Sequence, residues 1–247
     1  MAGHSKWANI KHRKGAQDKK RGKIFTKIIK EVTIAAKEGG PDINFNPRLR
    51  LAVQNAKGAN LPKETVERAI NKGAGSDSEN YIETTYEGYG PNGIAIFVEC
   101  TTDNINRTVQ DVRAAFNKYG GSLGTNGSLS FLFERKGVFA VPKGDIIEDN
   151  FMMEVIDAGA EDAEIQDNTF IITSSMEDFG TMQKRLEELK VEPENAMLER
   201  IPNTTIALNL DEAQKVMKLI DVLEDNDDVQ HVYHNMELTE ELLERME

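Results

Sequence analysis

The part of the sequence that carries most information about the fold is residues 136–202, which read KGVFAVPKGDIIEDNFMMEVIDAGAEDAEIQDNTFIITSSMEDFGTMQKRLEELKVEPENAMLERIP. Short runs rich in β-branched and aromatic residues alternate here with two stretches in which apolar residues recur at helical spacing. We predict six elements in this order: strand Val138–Val141, helix Asp145–Ala158, strands Ala163–Gln166 and Phe170–Thr173, helix Met176–Leu189 and strand Ala196–Ile201. A β-α-β-β-α-β series of this kind is a complete ferredoxin-like unit.

The sequence on either side of this unit supplies the two halves of another. On the N-terminal side we predict strand Ile94–Cys100, a helix capped by Thr102 or Asp103, and strand Ser128–Phe133. On the C-terminal side we predict strand Thr205–Leu208, helix Asp211–Glu224 and strand Val229–Tyr233. Because each β-α-β half has no partner within its own segment, the simplest architecture joins the halves and inserts one α+β domain into the other.

Three helices are predicted before these domains. From Gly22 onward apolar residues recur at helical spacing, and the opposite face of that helix carries Lys23, Lys27, Lys30 and Lys37. Asn46-Pro47 offers an N-cap followed by a proline in the first turn, and this second helix stops at Gly58. A third helix begins at Leu61-Pro62 and stops at Gly73.

The predicted fold class is therefore α+β, an N-terminal helical bundle plus two ferredoxin-like α+β domains, one inserted in the other. The basic tail and helical domain are expected over residues 1–78. One α+β domain is expected over residues 79–135 plus 203–247, and the inserted α+β domain over residues 136–202.

The charge of the chain is divided unevenly along its length. The whole chain has 30 Lys and Arg against 42 Asp and Glu, which gives a net charge of −12. Residues 1–75 carry 17 of the basic and 6 of the acidic residues, which leaves 13 basic and 36 acidic residues for the remainder. An asymmetry of this size indicates that the basic part binds a polyanion, while the acidic part is solvated and repelled by it.

Composition excludes several other classes of protein. The single cysteine, Cys100, excludes a disulfide framework and a zinc site of four cysteines, and it predicts a reducing, cytoplasmic compartment. The longest uncharged stretch, residues 119–133, has 15 residues, whereas a membrane span needs about 20 apolar ones. The N-terminus also lacks the apolar segment of a secretory signal. We therefore expect no membrane partner.

Residues suited to catalysis or metal binding are sparse. His231 and His234 lie on a predicted strand, where side chains at this spacing point to opposite faces, so no metal is expected there. Cys100 ends a strand that is expected to be buried, and we predict that it is a core residue. Residues 224–228, which read EDNDD, are expected to form an aspartate-rich turn rather than a Mg²⁺ site. The prediction is a protein that is not an enzyme and has no catalytic residue, metal or cofactor.

A glycine-rich stretch, residues 120–127, follows a predicted helix and precedes a predicted strand. A phosphate-binding loop has the reverse order, in which a strand leads through the loop to a helix N-terminus. The sequence contains neither GxxxxGK[ST] nor GxGxxG. A flexible loop is therefore the favoured interpretation.

The strongest functional signal is residues 1–21, which we call the basic leader. It has few apolar residues and no regular period, so it is expected to become ordered only on a partner. Lys and Arg neutralise phosphates and release counterions, and the predicted nucleic-acid-binding residues of the leader and the next helix are Lys6, Trp7, Lys11, His12, Arg13, Lys14, Lys19, Lys20, Arg21, Lys23, Lys27 and Lys30. Trp7 either stacks on an exposed base or packs back onto the helical bundle. Charge of this kind predicts affinity but not sequence specificity.

A second candidate contact site lies at the start of the helix after residue 102. We interpret Asp103 as the N-cap of that helix. The polar residues beyond it exceed what a cap requires, and the candidate contacts are Asn104, Asn106 and Arg107.

Three blocks of the sequence are distinctive: residues 1–27, MAGHSKWANIKHRKGAQDKKRGKIFTK; residues 87–113, EGYGPNGIAIFVECTTDNINRTVQDVR; and residues 221–235, DVLEDNDDVQHVYHN. Together they resemble the YebC/PmpR family, whose mitochondrial relatives include the translational activator of cytochrome c oxidase. The resemblance covers essentially the whole chain, with residues 237–247 as an acidic extension.

The resemblance implies a cytoplasmic protein of three domains, one of which interrupts another. Members of the family are mostly described as DNA-binding transcriptional regulators; a different view makes them translation factors that bind the ribosome and support synthesis through proline-rich stretches. The basic residues from Lys6 to Lys23, together with Asn104, Asn106 and Arg107, match the family's pattern position by position. The leading hypothesis is a non-enzymatic, nucleic-acid-binding regulator of gene expression acting on DNA, and the alternative is a ribosome- and rRNA-binding translation factor.

Overall fold

The computed structural model describes residues 22–75, 80–239 and 242. Within these ranges the chain forms seven α-helices and two four-stranded antiparallel sheets, which confirms the α+β class. The chain packs as two compact units. The described residues of unit 1 are 22–27, 80–134, 201–239 and 242, and those of unit 2 are 28–75 and 135–200. The domain boundaries expected from the sequence stay a prediction.

The three N-terminal helices are α1 (residues 22–39), α2 (Pro47–Gly58) and α3 (Lys63–Ala74). Asn46 caps α2 as predicted, because its side-chain oxygen accepts a hydrogen bond from the Leu49 amide at 3.0 Å. Its side-chain amide also donates to the Ala35 carbonyl of α1 at 2.7 Å. Gly73 packs so closely on α1 that a Cβ there would clash with the Thr33 carbonyl oxygen. This glycine therefore serves helix packing, and α3 continues one residue past it.

The sheet of unit 2 follows the predicted β-α-β-β-α-β order. Its elements are β4 (Phe133–Pro142), α5 (Glu148–Asp157), β5 (Ala160–Gln166), β6 (Thr169–Ser175), α6 (Phe179–Glu188) and β7 (Asn195–Pro202). The strand order is β5-β6-β4-β7, and β6 pairs antiparallel with both β5 and β4. Asp167 and Asn168 both have positive φ, which suits the two-residue turn between β5 and β6. The core between this sheet and its helices includes Phe139, Phe151 and Phe170.

Helix α2 is fixed to β7, the edge strand of this sheet. The Asn55 side chain accepts a hydrogen bond from the Ala196 amide at 3.1 Å and donates one to the Ala196 carbonyl at 2.9 Å. At Gly58 a Cβ would clash with the Glu194 carbonyl oxygen. The Asn55 side chain therefore pairs with the backbone of β7 much as a neighbouring strand would.

The elements of unit 1 are β1 (Ile82–Tyr89), β2 (Ala95–Thr102), α4 (Ile105–Lys118), β3 (Ser122–Leu123), α7 (Leu210–Glu224) and β8 (Val229–His234). The strands form one sheet with the order β3-β1-β2-β8. Ile96 and Val98 of β2 share one core with Phe116 of α4 and Leu219 of α7. A smaller cluster, Ala95, Phe97, Leu129, Phe133 and Tyr233, contains the alternate residues of β2.

Two strand predictions in unit 1 were wrong, and one strand was missed. Residues 205–208 form no strand; Ile206 makes only an isolated bridge with Met236. Residues 128–133 are mostly a loop with the short 3₁₀ turn Ser130–Leu132, and β4 begins at Phe133. Strand β1 was not predicted because its sequence, IETTYEGY, lacks an apolar run. It is a strand because all eight residues pair with β2, so tertiary pairing outweighs local propensity.

Part of the acidic C-terminal segment packs into the core of unit 1. Among its described residues, Leu238 and Leu242 are 2% and 7% exposed and belong to the same core as α7. Within the described part of the chain, no helix is long and apolar enough to cross a membrane.

Candidate nucleic-acid interface

Most of the predicted nucleic-acid-binding residues precede the described part of the chain. Lys6, Trp7, Lys11, His12, Arg13, Lys14, Lys19, Lys20 and Arg21 lie outside the described residues. The remaining three lie on α1, where Lys23 is exposed and Lys27 and Lys30 are half-buried.

Lys23 and Lys27 contact the C-terminal end of α7. Lys23 Nζ donates to the Asp225 carbonyl oxygen at 2.8 Å and lies 3.3 Å from Oδ1 of the same residue. Lys27 Nζ donates to the Glu224 carbonyl oxygen at 2.9 Å. The last carbonyls of a helix have no partner within the helix and carry the negative end of its dipole, so ammonium groups there are stabilising. The two lysines thus hold the start of α1 against α7.

The N-cap of α4 is Asn104, so the assignment of that role to Asp103 was wrong. The Asn104 side-chain oxygen accepts a hydrogen bond from the Arg107 amide at 3.1 Å. Its own amide donates to the Thr102 hydroxyl at 2.9 Å. Asp103 lies one residue too early for the cap and instead pairs with the Arg107 side chain. A structural role therefore accounts for the Asn104 side-chain oxygen.

Arg107 is held by two carboxylates. Its Nη2 donates to Asp228 Oδ2 at 2.7 Å and to Asp103 Oδ1 at 2.8 Å, and its Nε lies 3.2 Å from Asp228 Oδ2. Asp228 is 8% exposed and also accepts a hydrogen bond from the Thr108 hydroxyl at 2.9 Å. These contacts raise the pKa of the Arg107 guanidinium, chiefly through the hydrogen bond to Asp228 and next through that to Asp103. The side chain is nevertheless 46% exposed, and Asn106 is exposed beside it.

The lysines of α1 and the start of α4 both contact residues 224–228, which we call the acidic turn. Asp225 contacts Lys23, and Asp228 contacts Arg107. Because three peptide units span at most about 11 Å between Cα atoms, these two contacts lie close together. Asn226 stabilises the turn by accepting a hydrogen bond from the Asp228 amide at 2.8 Å. The structure thus brings the lysines of α1 and the start of α4, which the sequence predicted as two separate sites, together at the acidic turn.

Glu87 lies on β1, the strand that the local sequence pattern does not predict. This residue is 3% exposed, and its carboxylate accepts hydrogen bonds from the amides of Gly127 at 2.7 Å and Leu129 at 2.5 Å. Its backbone carbonyl accepts a further bond from the Gly124 amide at 2.8 Å. The glycine-rich stretch that was interpreted as a flexible loop is therefore anchored to a buried carboxylate.

The residues considered for metal binding or catalysis lie on a strand or in a core. His231 and His234 lie on β8, and Cys100 is 2% exposed in the core of unit 1. In the ranges that the structure describes, no three His, Cys, Asp or Glu side chains are grouped so that they could hold a metal ion.

Comparison with known proteins gives matches along nearly the whole chain. Residues 5–76 match the TACO1/YebC protein N-terminal domain, and residues 81–236 match the TACO1/YebC second and third domain. A relative from Amoebophilus asiaticus, named "Probable transcriptional regulatory protein", is 56% identical over 96% of this chain and 98% of its own length. Relatives of the same name from Persephonella marina and Tolumonas auensis are 52% and 53% identical over 100% of both chains.

A solved structure is also similar. The crystal structure of a conserved hypothetical protein from Aquifex aeolicus has a TM-score of 0.80 and 45% sequence identity, and the match covers 90% of this chain and 93% of that one. The matched domains, the full-length relatives and the shared fold agree with the family resemblance of the sequence. The chain belongs to the TACO1/YebC family.

Proposed function

We propose that this protein is a non-enzymatic, nucleic-acid-binding regulator of gene expression, and specifically a DNA-binding transcriptional regulatory protein of the cytoplasm that needs no cofactor. The observation that carries the proposal is the charge division between residues 1–75, with 17 basic and 6 acidic residues, and the remainder, with 13 and 36. The name shared by the relatives, "Probable transcriptional regulatory protein", supports the regulatory role.

The first proposed contact is the basic leader together with the lysines of α1. Cations of the leader would bind successive phosphates and release their counterions, so affinity would fall steeply with salt. Lys23 continues this surface, because its side chain is 43% exposed. An ammonium group has three donors, so Lys23 can bind a phosphate while it keeps its contact with the acidic turn.

The second proposed contact is the start of α4. Arg107 has five N–H donors, and Asp103 and Asp228 hold the guanidinium in one orientation while 46% of the side chain stays exposed. A side chain that is already oriented loses less conformational entropy when a phosphate binds. Asn106 would add a neutral hydrogen-bonding group beside it.

The acidic body supports the proposal by limiting how a polyanion approaches. Its excess of carboxylates repels phosphate, so the basic segment is the part of the chain towards which nucleic acid is steered. The acidic turn is an exception within this body, because Lys23, Lys27 and Arg107 all donate hydrogen bonds to it.

The alternative is a ribosome- and rRNA-binding translation factor that supports synthesis through proline-rich stretches. One observation favours it over a DNA regulator. A DNA recognition helix presents the side chains of its first turns to base edges, whereas the first turn of α4 engages Asn104 and Arg107 in internal contacts. Phosphate contacts made by a leader and an anchored arginine suit the irregular surface of folded RNA.

The test is crosslinking in cells followed by sequencing of the bound nucleic acid. The matched comparison is a variant with six glutamine substitutions in the leader, at Lys11, Arg13, Lys14, Lys19, Lys20 and Arg21. A control variant carries glutamine at exposed lysines of the acidic body, Lys184, Lys215 and Lys218. Promoter DNA recovered with the wild type and the control, but not with the leader variant, supports the proposal. Ribosomal RNA recovered in that pattern supports the alternative, and equal recovery from all three proteins refutes both.

A further inference from the structure

The backbone of residues 124–132, which we call the Phe131 loop, is held by hydrogen bonds from two sides. On one side, Glu87 bonds the amides of Gly124, Gly127 and Leu129. A carboxylate that is 3% exposed is costly to bury unless its oxygens are hydrogen-bonded. The loop supplies those bonds, so the conformation of the loop and the burial of Glu87 depend on each other.

The other side of the loop is held by Asn203, from a distant part of unit 1. The Asn203 side-chain amide donates to the Phe131 carbonyl at 3.0 Å, and the Asn203 backbone amide donates to the Leu132 carbonyl at 2.9 Å. The Ser130 hydroxyl closes the loop by donating to the Gly127 carbonyl at 2.9 Å. The backbone on which Phe131 stands is therefore fixed from two directions.

The Phe131 ring itself is left in solvent. It is 70% exposed, whereas Leu129 is fully buried and Phe133 is 5% exposed in the cluster beneath the loop. Turning a phenyl ring outward forgoes the favourable free energy of burying it. Exposed single hydrophobic residues are common on proteins, but this one stands on a backbone whose geometry a buried carboxylate specifies.

The exposed side chains that share the loop with Phe131 are polar and uncharged. Thr125, Asn126 and Ser130 are exposed, and residues 119–133 include no charged side chain. The Ser128 hydroxyl oxygen is buried and has no hydrogen-bond partner within the described part of the chain. Protein-binding hot spots typically lie in well-packed pockets from which the surrounding contacts exclude water, whereas recognition of unpaired bases combines one flat ring with hydroxyl and amide groups.

We propose that Phe131 is a stacking platform for an unpaired nucleobase of a single-stranded nucleic acid, with the hydroxyl and amide groups of the loop beside the base edge. The inference rests on the proposed function, because the basic leader supplies the affinity for phosphate and the loop adds a contact with a base. A base within a duplex is stacked on both faces and offers no face to the ring. The Phe131 loop would therefore distinguish single strands from duplexes.

The experiment measures binding of the full chain to a short fluorescent oligouridylate, to the matching oligodeoxyuridylate, to a strand of equal length without bases, and to duplex DNA. Phe131→Ser removes the ring, Phe131→Tyr keeps it, and Phe45→Ser is the matched control because Phe45 is another exposed aromatic, at 84%. Stacking on one base predicts that Phe131→Ser weakens binding of the base-containing single strands by about 5- to 150-fold. It also predicts unchanged binding of the strand without bases and of duplex DNA, and wild-type affinity for the other two variants.

The outcomes separate this inference from the proposed function. Equal weakening of strands with and without bases would show that Phe131 acts through the structure, and unchanged binding of all strands would show that it makes no contact; either result overturns the inference. If the leader variant still loses binding in those cases, the proposed function stands. Absence of any binding by the wild type overturns both. The ribose and deoxyribose strands show which source of unpaired base is preferred, since only RNA carries the 2′-hydroxyl.

Discussion

Replacing Glu87 should loosen the glycine-rich loop before it unfolds anything else. Its carboxylate accepts hydrogen bonds from two backbone amides in different environments, because Leu129 is fully buried and Gly127 is exposed. In Glu87→Ala, water can reach the Gly127 amide, whereas the Leu129 amide is left buried without a partner. That loss costs about 1–3 kcal/mol, and removal of the one buried methylene group beyond Cβ adds about 0.8 kcal/mol. The expected destabilisation of the loop is about 3 kcal/mol.

Glu87→Gln is the diagnostic companion variant. Glutamine keeps the methylene groups and one acceptor oxygen, which can stay with the Leu129 amide while the Gly127 amide turns to water. We expect a loss of about 1 kcal/mol for this variant, since one net hydrogen bond is given up. Glu83→Ala, an exposed position on the same strand, should change stability by less than about 0.5 kcal/mol.

The assay is hydrogen exchange of the Leu129 amide, which reports local opening of the loop, with urea unfolding monitored in parallel. Exchange should accelerate in the order Glu83→Ala, Glu87→Gln, Glu87→Ala, and by about 100-fold in the last variant if about 3 kcal/mol is given up. The reasoning is refuted if the Leu129 amide exchanges at the wild-type rate in Glu87→Ala, because the carboxylate would then not be what holds the loop.

Three other sets of variants test the leader, the acidic turn and the edge of the unit 2 sheet. The leader variant carries glutamine at Lys11, Arg13, Lys14, Lys19, Lys20 and Arg21, and it should lose nucleic-acid binding while its melting temperature stays unchanged. Any residual binding should depend less on salt, by about 0.9 in the slope of log affinity against log salt for each phosphate of duplex DNA that is no longer neutralised. Unaltered affinity in a salt titration would contradict this prediction. Arg107→Ala should lower the melting temperature because it leaves the Asp228 carboxylate, 8% exposed, without its cation, and Arg107→Ala combined with Asp228→Asn should recover part of the decrease. Equal melting temperatures for the wild type and Arg107→Ala would show that the ion pair contributes nothing to stability. Asn55→Ala should destabilise unit 2 by about 1–3 kcal/mol in urea unfolding, since it leaves the Ala196 amide and carbonyl unpaired. Asn55→Asp should be at least as destabilising, because it retains the acceptor but turns a second carboxylate oxygen towards the Ala196 carbonyl oxygen.

The elements that were predicted correctly have signals contained in a short stretch of sequence. Asn46-Pro47 marks the start of α2, and the β4 to β7 series shows its alternation of strands and helices without reference to any other segment. Strand β1 has no such signal. Its residues are partly polar, and only the eight paired positions on β2 make it a strand.

The candidate site shows the same limit. The sequence identifies Arg107 as a candidate contact residue because a helix start does not need a side chain of this kind. Its main partner, Asp228, is 121 positions away, in a segment that was predicted to be a turn and nothing more. The N-cap was misplaced by one residue, because Asp103 and Asn104 are both good capping residues and only the backbone shows which one precedes the helix. Contacts between distant segments are set by tertiary packing, which a local pattern does not contain.

The pairing of Asn55 with Ala196 has a consequence for how the protein behaves in a crowded solution. Strand β7 ends its sheet, and the exposed backbone of a terminal strand is a template on which strands of other molecules can add. By occupying both the amide and the carbonyl of Ala196, Asn55 interrupts that template in its N-terminal part. A side chain on a helix thereby helps to protect the protein from aggregation through β-sheet extension.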